Sequence, residues 1–99
     1  MNFYQICDDF LQNLAQVIED KDINSSLEID YLDGILKITI NNNNKTFIIN
    51  RNSGNQKIWY SSPFTGADYF TYDEKTNIWY NSRNIELTNK ILSELKDHI

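Results

Sequence analysis

Cysteine, histidine, glycine and long apolar runs are all scarce in this 99-residue chain, and each shortage removes a class of chemistry. The one cysteine, Cys7, cannot form an internal disulfide, which fits a reducing compartment. With His98 as the one histidine, the clustered ligands of a tight zinc or copper site are missing. Ser61, Ser62 and Thr65 have no histidine base nearby in sequence, so a hydrolase triad has no visible members. There is no glycine-rich phosphate loop. No apolar run approaches the roughly 20 residues of a membrane span, and no charged segment followed by an apolar one opens the chain. The cytoplasm is the expected location.

What is present points to a folded binding protein. Hydrophobic residues make up 40% of the chain, too many for a disordered segment, and the length suits one domain over residues 1–99. Charge is unevenly placed. Residues 1–34 hold eight acids (Asp8, Asp9, Glu19, Asp20, Asp22, Glu28, Asp30 and Asp33) against Lys21, a net of −7. Residues 35–99 hold six acids and eight bases, a net of +2. Such a field attracts cations or a basic protein surface and repels phosphate, so neither nucleic acid nor an anionic membrane is expected as a partner.

Periodicity sets the elements. Phe3, Ile6, Phe10, Leu14, Val17 and Ile18 recur every three or four residues and predict a helix with an apolar stripe. At roughly 100° per residue, Asp8 and Glu19 then lie almost opposite that stripe and Asp9 and Asp20 on one flank. Alternation follows: Leu27, Ile29 and Tyr31, a hairpin at Asp33-Gly34, then Leu36, Ile38 and Ile40. Further strands are predicted at Lys45–Asn50, Gln56–Ser61, Asp68–Tyr72 and Asn77–Tyr80, and a second helix from Leu87 to Ile99. The fold class is α+β: a two-layer α/β sandwich, with both helices on one face of a mainly antiparallel sheet of about six strands.

Few of these residues suggest catalysis. Cys7, at the edge of the helical stripe, reads as a small buried hydrophobe, and His98 as compensation for a helix dipole in a last turn. Separated carboxylates suit weak binding of hard cations, iron included, but from composition alone a solvated helix face is the favoured reading. Trp59 falls out of phase with Ile58, on the uncovered sheet face beside Lys57 and Ser61. It serves there as a partner anchor or lies covered by neighbouring side chains.

Ile49-Asn50-Arg51 and Ile58-Trp59-Tyr60-Ser61-Ser62-Pro63 followed by Gly66, with Asp33-Gly34-Ile35-Leu36 and Val17-Ile18-Glu19-Asp20, resemble the frataxin family in its bacterial iron–sulfur assembly form. The likeness runs nearly end to end. Lys57 stands where the family usually has Gln, Gly54 where many members have Pro, and Tyr69 and Thr71 replace a basic residue and an Asp.

The resemblance implies weak binding of ferrous and ferric iron by an acidic ridge: Glu19, Asp20, Asp22, Glu28 and Asp30, with Asp8 and Asp9 further up the helix. It implies action with a cysteine desulfurase and the iron–sulfur scaffold protein, as iron donor or regulator, by a monomer that forms oligomers with iron. Partner contacts would fall at Glu19, Asp20, Asp22, Asn50, Lys57 and Trp59. Catalysis is not expected: ferroxidase activity is credited to some relatives, but no redox ligand set is visible. The alternative is an acidic interaction module without a physiological metal. Neutralising Glu19, Asp20 and Asp22 is expected to leave the fold intact.

Overall fold

The computed structural model describes residues 2–99. Helix α1 (Phe3–Lys21) precedes six strands: β1 (Leu27–Leu32), β2 (Ile35–Ile40), β3 (Lys45–Asn52), β4 (Lys57–Ser62), β5 (Gly66–Asp73) and β6 (Ile78–Tyr80). Helix α2 (Leu87–Leu95) follows, then a 3-10 turn at Lys96–His98. Short connections allow only neighbours to pair, and the sheet order is β1-β2-β3-β4-β5-β6 with every pair antiparallel. Among the described residues, no helix is long and apolar enough to cross a membrane.

The side-chain alternation of the sheet separates a covered face from an open one. Leu36, Ile38, Phe47, Ile49, Ile58, Tyr60 and Phe70 are wholly buried on the first, under α1 (Phe3, Cys7, Leu11, Leu14 and Ile18) and α2 (Leu87, Ile91 and Leu95). Trp79 of β6 joins them, with Phe3 and Phe10 against it at ring separations of 6.4 and 6.0 Å. The two-layer sandwich expected from periodicity is the observed architecture.

Several boundaries differ from the expectation, for backbone reasons. Gln56 and Asn77 have φ of +55° and +60°, so they are turn residues and β4 and β6 start one residue later. β3 and β5 are longer than alternation suggested, and α2 stops at Leu95. Ile99 still packs against the core, which explains its place in the four-residue repeat despite lying outside the helix.

The stripe on α1 is also rotated. Its centre runs through Phe3, Cys7, Leu11, Leu14 and Ile18, while Ile6 and Phe10 are half-buried at one side. That is a turn of roughly 40° about the helix axis from the expected stripe. Asp8 and Glu19 therefore flank the stripe on the side of β1, and Asp9 and Asp20 point outward, the reverse of the expected arrangement.

Asp33 and Gly34 have φ of +49° and +80°, the two positive values a type I′ hairpin needs. Gly34 is fixed by more than its turn. A Cβ there would lie 2.7 Å from Cζ of Arg51, whose guanidinium stacks 4.2 Å from the Tyr4 ring centre and lies 3.7 Å from Asp33 Oδ1. Arg51 thus pins the start of α1 and the β1–β2 hairpin to β3.

Candidate functional site: an acidic ridge beside an open sheet face

The carboxylates of α1 and β1 fall into three groups. Asp22, directly after α1, is half-buried and accepts hydrogen bonds from the backbone N–H of Ser26 (2.8 Å) and of Leu27 (2.9 Å). It ties the helix end to the start of β1. Asp8 is half-buried on the flank facing β1, where it accepts from the Tyr31 hydroxyl and from Gln12 Nε2 at 3.0 Å. Burial, and then the Asp8 carboxylate, push the Tyr31 hydroxyl up to about 12.

The remaining ridge residues are exposed. Asp9 accepts from Gln5 Nε2 at 2.8 Å and Asp20 from Gln16 Nε2 at 2.9 Å, neutral i,i+4 contacts that leave each charge uncompensated. Glu19 lines a small cleft with Asp22, Ser25, Leu27 and Ile29, between the end of α1 and β1. Glu28 and Asp30 project from β1 on the open face, across from Thr39 and Lys37. Among the described residues no three His, Cys, Asp or Glu side chains are grouped as a metal cage. Dispersed carboxylates of this kind offer few oxygens to any one ion and form no preformed cage.

The open face carries the second part of the site. Register places Ile35, Asn50, Trp59 and Tyr69 in one row across β2 to β5, with Leu32 paired to Ile35 at the hairpin tip. Leu32 is 74% exposed, Ile35 49% and Tyr69 41%, and Trp59 is half-buried between Asn50 and Tyr69. Lys57 and Ser61 share this face, as alternation predicts, opposite Asn52 and Ile48. Asn50 turns its Nδ2 to the Arg51 carbonyl at 3.1 Å.

Two other residues singled out by the sequence are placed differently from expectation, although Cys7 is the small buried hydrophobe that the sequence predicts. Cys7 lies at the centre of the α1 stripe and is wholly buried, and burial pushes its thiol up to about 12 against a small opposing effect of Arg51. It is an inert core residue. His98 lies outside α2, in the 3-10 turn, where its ring stacks on Phe64 at 5.1 Å and 6°. The stacking fixes the ring, and His98 remains a basic residue in the last turn of the helical segment that follows α2 directly.

Sequence reasoning missed Glu94. Its carboxylate accepts from Ser62 Oγ (2.5 Å), Tyr60 Oη (2.6 Å) and Thr65 Oγ1 (2.9 Å), with Lys90 Nζ at 3.4 Å. Burial alone would raise its pKa, but the hydrogen bonds from Ser62, Tyr60 and Thr65 and the Lys90 charge outweigh it, and the net shift is downward. A signal existed: Tyr60 and Ser62 alternate with Trp59, so their hydroxyls face the helices and need an acceptor there. The Trp79 indole N–H is likewise buried, without an acceptor among the described residues.

This geometry has known relatives. The frataxin-like domain profile matches residues 1–99. A mitochondrial frataxin of Dictyostelium discoideum is 30% identical over 86 residues, which are 83% of this chain and 44% of that protein. The iron-sulfur cluster assembly protein CyaY of Thioalkalivibrio sulfidiphilus is 33% identical over 87 residues, 84% of this chain and 79% of that one. The chain spans half or less of the length of the mitochondrial relatives it matches. Among solved structures, trimeric yeast frataxin complexed with ferrous iron superposes with a TM-score of 0.79 at 24% identity, covering 95% of this chain and 85% of that one. At that identity the likeness speaks for the fold. Proteins of this kind are not catalysts in their own right. A profile match along the whole chain, with the sandwich and the Trp59 strand in place, makes the chain a member of the frataxin-like family.

Proposed function

We propose that this protein binds iron weakly and acts in iron–sulfur cluster assembly, as iron donor or regulator of the cysteine desulfurase–scaffold complex. The observation that carries the reading is the exposed carboxylate set Asp9, Glu19, Asp20, Glu28 and Asp30, none paired to a cation at salt-bridge distance among the described residues, on a frataxin-like fold. Iron held by such groups is released easily, as a donor requires. The same field steers the ridge onto a basic surface of the desulfurase, and Trp59, with Asn50 and Lys57 around it, faces the scaffold protein. One monomeric domain in a reducing cytoplasm suits a lone, buried thiol.

Iron titration followed by NMR tests the reading. Ferrous iron should broaden signals from Asp8 to Asp30 before any others, and strongest effects at His98 or Cys7 would overturn it. One observation favours a second reading, an acidic interaction module without a physiological metal: the carboxylates stand apart in three groups. In that case desulfurase binding would persist and fall with salt, because exposed charges are screened beyond about 8 Å at physiological ionic strength, while iron left the spectrum unchanged.

A further inference from the structure

The two edges of the sheet are treated differently. β6 has three residues, and its outer side is engaged by the Tyr80–Glu86 bridge and the hydrogen bond from Asn81 N–H to the Ile85 carbonyl at 3.0 Å. β1 has six residues and pairs with β2 alone. In a two-residue hairpin closed by Leu32 and Ile35, alternate residues of β1 turn their backbone groups to β2, and Ile29 and Tyr31 turn theirs outward. Two neighbours fit this phase: Ser26 C=O accepts from Asn41 N–H on the β2 side, and Leu27 N–H goes instead to Asp22. None of the turn and loop backbone hydrogen bonds among the described residues ends on Ile29 or Tyr31.

Carboxylates stand on both sides of this free edge. Glu28 and Asp30 project on the open-face side, while Asp8, bonded to Tyr31, and Glu19, in the cleft beside Leu27 and Ile29, stand on the helix side. A strand added to β1 alternates its side chains between those two sides, so each would meet an acid.

We propose that the β1 edge accepts an extended basic segment of a partner protein by strand addition, with backbone hydrogen bonds to Ile29 and Tyr31 and Arg or Lys side chains against Glu28 and Asp30 on one side and Asp8 and Glu19 on the other. The inference rests on reading the ridge as a dock for a basic partner, and it states the form of the docked segment. A second copy of this chain is a poor occupant, because β1 against β1 would set Glu28 and Asp30 beside their own counterparts. The acids thus bar self-pairing at the same edge that they open to a basic strand.

Amide exchange on the whole chain tests the proposal, with two probes: a hexapeptide of alternating arginine and lysine, and its fully N-methylated counterpart. Both carry the same charge, but only the first can form a strand ladder. Exchange at the Ile29 and Tyr31 amides should slow about tenfold with the first peptide, the worth of roughly one net hydrogen bond. It should stay unchanged with the second, and the double variant Glu28→Gln/Asp30→Asn should weaken the first effect. Equal binding of both peptides, or shifts at the carboxylates with no slowing at Ile29 and Tyr31, would overturn strand addition. Iron titration and desulfurase binding are read separately, so loss of the edge effect would leave the ridge reading standing, and a failure of iron binding alone would leave the edge effect standing.

Discussion

Replacing Asp22 by alanine should destabilise the protein, while neutralising its neighbours Glu19 and Asp20 should not. Asp22 gives one carboxylate oxygen to Ser26 N–H and the other to Leu27 N–H, and Leu27 is 8% exposed. Truncation leaves both donors without that partner in a part-buried corner. Hydrogen bonds to a charged group run at about 1.5–3 kcal/mol each, and this corner is only part-buried, so the pair together is worth about 2–3 kcal/mol. For a domain of this size that is a fall in Tm of roughly 10–20 °C. Asp22→Asn keeps one acceptor oxygen and should lose about half as much. Glu19→Gln and Asp20→Asn touch only exposed groups in a segment of net charge −7 and should stay within about 0.5 kcal/mol, with any change toward greater stability. Urea unfolding by circular dichroism, with a common slope for all four variants, measures the differences. A loss below about 0.5 kcal/mol in Asp22→Ala would refute the hydrogen-bond argument and return Asp22 to the ridge as a free carboxylate.

Trp59→Ala should weaken scaffold binding by about 2 kcal/mol or more. It should cost folding well under the roughly 3–5 kcal/mol of a wholly buried aromatic, and ready unfolding of the variant would place Trp59 in the core. Glu94→Gln should lower stability by about 2 kcal/mol at neutral pH. Because the folded carboxyl holds its proton less tightly than the unfolded one, that contribution is present above the ordinary pKa of 4.5 and is lost as pH falls through the lower folded value. The gap between wild type and variant in urea midpoint should therefore close on acidification, and a gap independent of pH would contradict this. Cys7 should resist a thiol reagent in the native protein and react only on unfolding, and rapid native labelling would show that the thiol is not held in the core.

The layers of the fold were legible because alternation and helical period are direct consequences of burying one face. Asp33-Gly34 announced its hairpin through the positive φ that the turn demands. The axis of the α1 stripe was not legible to the same accuracy. Leu11 and Cys7 belong at its centre, while Ile6 and Phe10 belong to the stripe only because Trp79 and Tyr72 reach across to that flank. Which apolar residue is central depends on what packs opposite, and a single helix pattern does not contain that. The same limit hid the double life of the acids. Asp22 and Asp8 look like Asp20 and Asp9 in sequence, and only the backbone of β1 and the hydroxyl of Tyr31 separate bonded carboxylates from free ones. Glu94 escaped notice because its partners lie 29 to 34 residues away, on the far side of two strands.

Both helices that cover the sheet lie outside the meander in sequence, and this sets the timing of folding in the cell. Each hairpin from β1 to β6 closes between sequence neighbours and can form while the chain is still being made. The apolar face those hairpins share has only α1 to hide it until residues 87–95 emerge from the ribosome. A chain cut off before α2 would present Tyr60, Phe70 and Phe47 as a sticky plane, ready to aggregate or to be held by a chaperone.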